Sequence, residues 1–156
     1  RILTNNQFGY SIETPDSWKT EDAGKQFWTY EATATNKFEP QPYNYARVVI
    51  EYPGQTKFKI VQWLDIQYPP EFGDKKAPVK KKLVTNKNAV EMLETQVNDP
   101  NGRLRYYFIA NEEVVSLTFN TTDQDEVNKR LQPLYGQILD SIKLIPVTKP
   151  SEAKTQ

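Results

Sequence analysis

Residues 8–18, "FGYSIETPDSW", contain the pattern that decides the fold. Apolar side chains at positions 8, 10 and 12 alternate with small or polar ones, which is the period-two pattern of a strand with one buried face. Pro15 ends this strand because it has no backbone N–H to donate to a neighbouring strand. The turn that follows brings Trp18 back over the end of the sheet, where we expect its ring to be buried in the core.

Further segments of the chain alternate in the same way and are predicted to be strands. They cover residues 27–35, 45–52, 79–86, 89–97, 103–110 and 114–120. Residues 21–26, between the opening motif and strand 27–35, read as a turn. Pro53-Gly54 predicts the end of strand 45–52.

The predicted strands from residue 79 onward form a meander. In "NDPNG", Asn101-Gly102 predicts a hairpin turn because both residue types tolerate positive φ. A second tight turn is predicted in "NEE", residues 111–113. In the strand that follows it, we expect the apolar side chains to face inward, whereas Ser116 and Thr118 face outward.

Two segments have helical spacing. Residues 56–68 fit a helix and also a strand, but their length and their lack of Gly and Pro favour the helix. Residues 123–142 form one apolar stripe, and Pro133 within them should kink or split the helix. The first stripe consists of Phe58, Val61, Leu64 and Tyr68, and the second of Val127, Leu131, Leu134, Ile138 and Ile142.

Strands occur in runs and helices stand apart from them, which predicts an α+β fold. We expect an antiparallel sheet of about six to seven strands flanked by helices, an α/β/α sandwich. A chain of 156 residues fits one domain, which we assign to residues 1–146. Residues 147–156 lack a core-forming pattern and read as a C-terminal tail or linker.

Composition excludes several kinds of chemistry. The 20 basic and 20 acidic side chains balance, whereas a dedicated nucleic-acid binder usually has a basic excess. The chain has no cysteine and no histidine, so it has no thiol nucleophile, and it lacks the commonest metal ligand and the commonest general base. No apolar run approaches the roughly 18 residues that a transmembrane helix needs.

The order of these motifs resembles the PsbP-like family. "GYSIETPDSW" opens the domain, the hairpin "RLRYYFIANEEVVSLTFNT" lies in its middle, and the last helix ends in "ILDSIKLIP". Tyr10, Pro15 and Trp18 match the opening motif of the family, and Ser141-Ile142 matches the motif at the end of the helix. The resemblance implies the PsbP/Mog-like fold and a structural role for these positions.

This resemblance extends over about residues 8–146, and it implies a function without catalysis. The family includes bacterial envelope lipoproteins, so the expected role is protein binding or assembly outside the cytoplasm, with the protein located at the cell envelope or secreted. We expect it to act as a monomer and without a cofactor. The chain begins at Arg1, and we expect any signal peptide or lipid-anchor cysteine to lie outside it. Association with a membrane surface would then use that anchor.

Two other functions stay open. The chain could be a small-ligand or divalent-metal-binding domain with a pocket between the sheet and the loops at 36–44 and 69–74. It could also be a carboxylate-dependent enzyme, which requires two acidic side chains in unlike environments. Asp123, Asp125 and Glu126 could bind a divalent cation through oxygen, but they lack the spacing and the glycine of an EF-hand, and their position at the start of a predicted helix explains them better.

Two surface features are candidates for partner binding. Loop aromatic residues could form a recognition surface or could anchor their own loops as partly buried rings; they are Phe38, Tyr43, Tyr68 and Phe72. The segment "KKAPVKKK" could form an anion-binding patch or could protect a strand edge from aggregation. Its lysines are Lys75, Lys76, Lys80, Lys81 and Lys82, of which Lys81 should point away from its two neighbours.

Overall fold

The computed structural model describes residues 1–22, 24, 26–31, 45–67, 80–96, 104–121 and 125–147. These residues form ten strands and two helices. The strands are β1 (Ile2–Asn5), β2 (Tyr10–Glu13), β3 (Lys19–Asp22), β4 (Gln26–Tyr30), β5 (Arg47–Gln55), β6 (Lys80–Thr85), β7 (Glu91–Gln96), β8 (Leu104–Ala110), β9 (Glu113–Phe119) and β10 (Lys143–Leu144). The helices are α1 (Ile60–Gln67) and α2 (Asp125–Ser141).

The main sheet has seven strands in the order β3-β4-β5-β9-β8-β7-β6, and neighbouring strands are antiparallel. Its last four strands in the chain form the predicted meander. The α+β class and the antiparallel sheet flanked by helices are therefore confirmed.

The β8–β9 hairpin closes through two residues that both have positive φ. Asn111 has a φ of 50° and Glu112 a φ of 69°, and they lie between the paired residues Ala110 and Glu113. Two central residues with positive φ are the requirement of a type I′ turn, whose twist matches that of the strands. The turn predicted in "NEE" is thus confirmed, whereas the hairpin turn predicted at Asn101-Gly102 lies outside the described residues.

Strand β5 does not end at Pro53-Gly54, as the sequence pattern had predicted. It continues to Gln55, and its pairing with β9 shifts register between Glu51 and Gly54. Such an irregularity leaves a position without a ladder hydrogen bond, and a proline can occupy it without loss.

A second sheet of three strands, in the order β1-β2-β10, was not predicted. It joins the first strand of the chain to a two-residue strand after α2, with β2 between them. Gly9, before β2, has a φ of 83°, and a Cβ there would lie 2.7 Å from the Ile145 carbonyl oxygen. Only glycine allows this close passage of two backbones, which the Ile145 N–H···O=C Gly9 hydrogen bond of 2.9 Å then joins.

Strand β3 was also not predicted, because the pattern around residues 21–26 predicted only a turn. Its residues are mostly polar, and it forms one end of the main sheet. Short polar strands are common at sheet edges, where they have weak sequence signals.

The main core lies between the seven-stranded sheet, α2 and the small sheet. Trp18 is buried in it with 3% of its surface exposed, as the opening motif predicted. From the main sheet it contains Val48, Ile50, Phe108, Leu117 and Phe119, from the small sheet Tyr10 and Ile12, and from α2 Leu131, Tyr135 and Ile138. We call this the α2 side of the sheet.

The opposite side of the sheet is covered in part by α1. Ile60, Trp63 and Leu64 pack there on Leu93, Tyr107 and Val114. Ser116 and Thr118 lie on this side too and are buried, so the expectation that they face outward was wrong. Thr118 is satisfied by Arg105, whose Nε–H donates to the threonine hydroxyl at 2.8 Å.

Helix α1 confirms the helical interpretation of residues 56–68, but its buried face differs from the predicted one. Phe58 precedes the helix and is 57% exposed, and Val61 is 38% exposed. Trp63 is buried instead, with its ring 5.8 Å from that of Tyr107. The large indole determines which face of so short a helix is buried, because it buries the most apolar area.

Helix α2 has the predicted apolar stripe, with Leu131 and Ile138 buried in the core. Tyr135, one turn after Leu131, is buried as well and was missed. Pro133 does not split the helix, which is continuous from Asp125 to Ser141. Because Pro133 is exposed, water can hydrate the carbonyl group that its missing N–H leaves without a donor.

Candidate functional site

Two concave regions of the described surface have the size of small-molecule sites, which is roughly 300–1,000 Å³. The first, which we call the α2 groove, has a volume of about 560 Å³ and lies between α2 and the sheet. The second, the N-terminal cavity, has a volume of about 840 Å³ and lies between the first two strands and β3–β5. They differ in whether their polar groups hydrogen-bond to one another or line the opening.

The α2 groove has an apolar floor and wall and a polar rim. The floor comes from β8 and β9, and the wall from one face of α2 at spacings of three and four residues. The apolar lining is Leu104, Phe119, Leu131 and Leu139, with the rings of Tyr106 and Tyr135. The polar rim is Glu94, Gln96, Thr121, Asn128 and Gln132.

A carboxylate lies on the sheet side of this groove. Glu94 on β7 is half-buried and stands directly opposite Tyr106 on β8. The Tyr106 hydroxyl donates to Glu94 Oε2 at 2.6 Å. Burial, followed by this hydrogen bond and the negative charge, raises the pKa of Tyr106 above its usual value. The tyrosine therefore stays neutral and serves as a fixed donor to the carboxylate.

The helix side of the groove contains a residue without a side chain. Gly136 is exposed within α2, and a Cβ added there would meet no atom within 4 Å. Glycine in a helix interior is less stable than alanine by roughly 0.5–1 kcal/mol. Neither helix stability nor local packing therefore favours a glycine at this position, which lies among the residues that line the groove.

Tyr135 fixes the position of α2 over the sheet. Its hydroxyl donates to the Asn120 carbonyl oxygen at 2.7 Å and accepts from the Arg47 backbone N–H at 3.3 Å. Its ring centroid lies 4.6 Å from that of Phe119. Burial is the main reason that the pKa of Tyr135 is raised. This wall of the groove is held rigidly.

Four polar groups of the N-terminal cavity satisfy one another. The hydroxyls of Tyr10 and Tyr52 are 2.6 Å apart, and the Asn5 amide donates to Tyr52 at 3.1 Å. Phe8 packs on Tyr52 with ring centroids 4.6 Å apart, and its N–H donates to the Asn5 side chain. Burial is the main cause of a strongly raised pKa for Tyr10. This cluster joins the small sheet to the main sheet, so its role is structural.

A third feature is an exposed surface on the other side of the sheet, which we call the α1–β6 surface. It consists of the apolar side chains of Phe58, Val61 and Leu83 and the ion pair between Lys81 and Asp65. Leu83 is 48% exposed, and Lys81 Nζ lies 2.7 Å from Asp65 Oδ1. The ion pair holds α1 beside β6, which is the terminal strand of the sheet.

The described residues include only part of the predicted surfaces. Phe38, Tyr43, Tyr68, Phe72, Lys75 and Lys76 lie outside them, as do the loops that were to form a ligand pocket. Lys80 begins β6, while Lys81 and Lys82 are exposed and pair with Thr95 and Glu94 of β7. Alternation along the strand places Lys81 on the α1 side and Lys82 on the α2 side. The aromatic surface and the anion patch stay predictions.

Two kinds of feature are absent from the described residues. Among them, there is no group of three or more Asp, Glu, His or Cys side chains that could together hold a metal ion. In the same part of the chain, no helix has both the length and the apolar character needed to cross a bilayer. Of the predicted acidic cluster, Asp123 lies outside these residues.

Sequence reasoning missed the residues of the α2 groove. Tyr135 could have been found, because it continues the stripe of Leu131 and Ile138. Glu94 and Tyr106 were placed on strands, but only the register of β7 and β8 makes them partners. Gly136 gave no signal, because a single glycine in a helical pattern does not tell whether a neighbouring element fills the space beside it.

Comparison with known proteins identifies the fold. No family model matches the sequence, and no curated protein is similar to it in sequence. Among solved structures, it is similar to the solution structure of cyanobacterial PsbP (CyanoP) from Synechocystis sp. PCC 6803, with a TM-score of 0.56. The similarity covers 92% of this chain and 91% of that chain at 10% sequence identity. At this identity it shows the fold alone, and that fold is the one that the resemblance to the PsbP-like family implied.

Proposed function

We propose that this chain, which has a PsbP-like fold, is a non-catalytic binding domain that contacts a protein partner outside the cytoplasm, at the cell envelope. The observation that carries the proposal is the α1–β6 surface. The partner is a protein whose contact area is apolar at its centre and carries carboxylates at its margin. The domain acts as a monomer and needs no cofactor.

The apolar part of the surface supplies the contact. Phe58 and Leu83 are each about half exposed, and Val61 lies on the same helix as Asp65, one turn before it. Leu83 lies two residues after Lys81 on the same face of β6, so the Lys81–Asp65 pair places Val61 and Leu83 on the same side of the sheet. Exposed apolar residues that share a surface are characteristic of interaction sites. An aromatic residue such as Phe58 is also among the residue types that are enriched in interface cores.

The charged part of the surface supports the choice of an acidic partner. Lys81 is exposed at the terminal strand of the sheet and lies on the α1 side. Both partners of its pair with Asp65 are open to solvent, so a carboxylate of the partner can compete for the lysine. Positive charges at an interface margin act mainly on the association rate and on the choice of partner.

The test is chemical crosslinking in cells that express the protein, with matched pairs of variants. Phe58→Ser with Leu83→Ser removes the apolar part of the α1–β6 surface. Ile2→Ser with Leu144→Ser removes equally exposed apolar residues from the small sheet. We expect a crosslinked species of defined mass that the first pair loses and the second pair keeps. Equal crosslinking by both variants, or none with the unchanged protein, would overturn the proposal.

Two further measurements test the charge and the compartment. Lys81→Gln should slow association with the captured partner at low salt and have little effect at high salt. Protease added to cells with an opened envelope should digest the full-length protein while a cytoplasmic marker stays intact. Protection of the protein together with the marker would contradict the extracytoplasmic location.

A further inference from the structure

We propose that the α2 groove binds a small amphipathic molecule with a flat apolar body and a cationic, hydrogen-bond-donating end. This site is independent of the proposed protein contact, because it lies on the α2 side of the sheet. The argument rests on the shape of the groove, on Gly136 and on the carboxylate of Glu94.

The shape of the groove suits a body of one or two rings. Its volume of about 560 Å³ is in the range of small-molecule sites. Its partly exposed apolar residues are Leu104 on the sheet side and Leu139 on α2, whereas Phe119 and Leu131 of its lining are fully buried. A flat apolar molecule would therefore contact carbon on two sides, which is the arrangement that removes most apolar area from water.

Gly136 keeps this space accessible from the helix side. It faces the groove from the same stripe of α2 as Gln132, and no atom lies within 4 Å of the position of a Cβ. A larger side chain there would occupy open space at the helix edge of the groove. The glycine thus makes it possible to block the site by substitution without a clash in the folded protein.

Glu94 determines the chemistry of the ligand's polar end. Its Oε2 accepts from Tyr106, and its carboxylate lines the groove. The charged group that faces it from the neighbouring strand is Lys82, its direct cross-strand neighbour, which is exposed and forms no ion pair with it among the described residues. A donor with a positive charge can therefore approach the carboxylate, and its hydrogen bond to that carboxylate is stronger than one between neutral groups.

The experiment is an NMR titration of the ¹⁵N-labelled protein with three probes that share an indole ring. Tryptamine carries a cationic amine, 3-ethylindole is neutral, and indole-3-propionate is anionic. We expect tryptamine to bind about three- to tenfold more tightly than indole-3-propionate. The largest chemical-shift changes should occur at the amides of Gly136, Glu94 and Tyr106.

Variants separate the apolar and the charged contributions. Gly136→Leu should abolish binding of all three probes, whereas Gln137→Leu introduces the same side chain at the next exposed helix position, outside the groove, and should leave binding unchanged. Glu94→Gln should remove the preference for tryptamine and keep the binding of 3-ethylindole. The last variant supplies a test even if Gly136→Leu does not fold.

Several outcomes would overturn the proposal. Shifts confined to Asn5, Tyr10 and Tyr52 would place the probe in the N-terminal cavity. Equal weakening by Gly136→Leu and Gln137→Leu would mean that the helix, and not the groove, was affected. Tighter binding of indole-3-propionate would reverse the assigned charge. None of these results bears on the crosslinking test, so the two proposals fail separately.

Discussion

Removal of a single hydroxyl from Tyr135 tests how α2 is held on the sheet. Tyr135→Phe keeps the ring and its contact with Phe119, and it deletes only the oxygen. That oxygen donates to the Asn120 carbonyl group at 2.7 Å and accepts from the Arg47 N–H at 3.3 Å. Tyr135 is only 6% exposed, so little water can replace the lost partner.

The size of the effect follows from this burial. A buried polar group left without its partner costs about 1–3 kcal/mol, whereas an ordinary hydrogen bond contributes about 0.5–1.5 kcal/mol. We therefore expect Tyr135→Phe to lower the free energy of unfolding by about 1–3 kcal/mol. For a chain of this size, each kcal/mol corresponds to roughly 2–4 °C in Tm.

The assay is urea unfolding followed by circular dichroism and by tryptophan fluorescence. Tyr106→Phe is the matched control, because it removes a hydroxyl whose acceptor, Glu94, is only half-buried and can bind water instead. We expect the control to lose less stability than Tyr135→Phe. If the two variants lose equal stability, or if Tyr135→Phe matches the unchanged protein, the hydroxyl does not hold the helix.

Three other predictions concern pH, backbone and surface charge. Tyr10, Tyr106 and Tyr135 have raised pKa values in the folded protein, so the stability that depends on their neutral forms is complete below the unfolded pKa of 10.0 and is lost as the pH rises above it. Alkaline urea titrations should show a decline in the free energy of unfolding of up to about 1.4 kcal/mol per pH unit for each of them. Gly9→Ala should lower the free energy of unfolding by about 2 kcal/mol or more in urea melts, because it adds positive-φ strain and a clash with Ile145; an unchanged midpoint would refute this. Lys81→Gln should change stability by at most about 1 kcal/mol, and less in 1 M salt, because its pair with Asp65 is exposed; a larger, salt-independent loss would contradict it.

The strands and helices that build the core could be predicted from the sequence because burial has a period. Alternation found β7, β8 and β9, and helical spacing found α2. Trp18 was predicted to lie in the core because a large aromatic ring next to a strand end buries much apolar area when it packs on the sheet. These elements share a strong contrast between apolar and polar faces.

The missed elements lack that contrast. Strands β3 and β10 are polar or very short, so only their pairing partners define them. The groove was missed for a related reason: it depends on the register that sets Glu94 opposite Tyr106, and on space left empty beside Gly136. Neither register nor empty space is encoded in the local pattern.

The small sheet also has a consequence for the order of folding. Strand β2 pairs with β1, which immediately precedes it, and with β10, which follows α2 near the other end of the sequence. The entropy lost on closing a loop grows with the length of the loop. The contact between Ser11 and Lys143 therefore has one of the largest entropic costs if it forms before the rest of the chain has folded. The β6–β9 meander, whose contacts are local, should therefore form early. Pairing of β10 with β2 should be a late step in folding, and its loss should be an early step in unfolding.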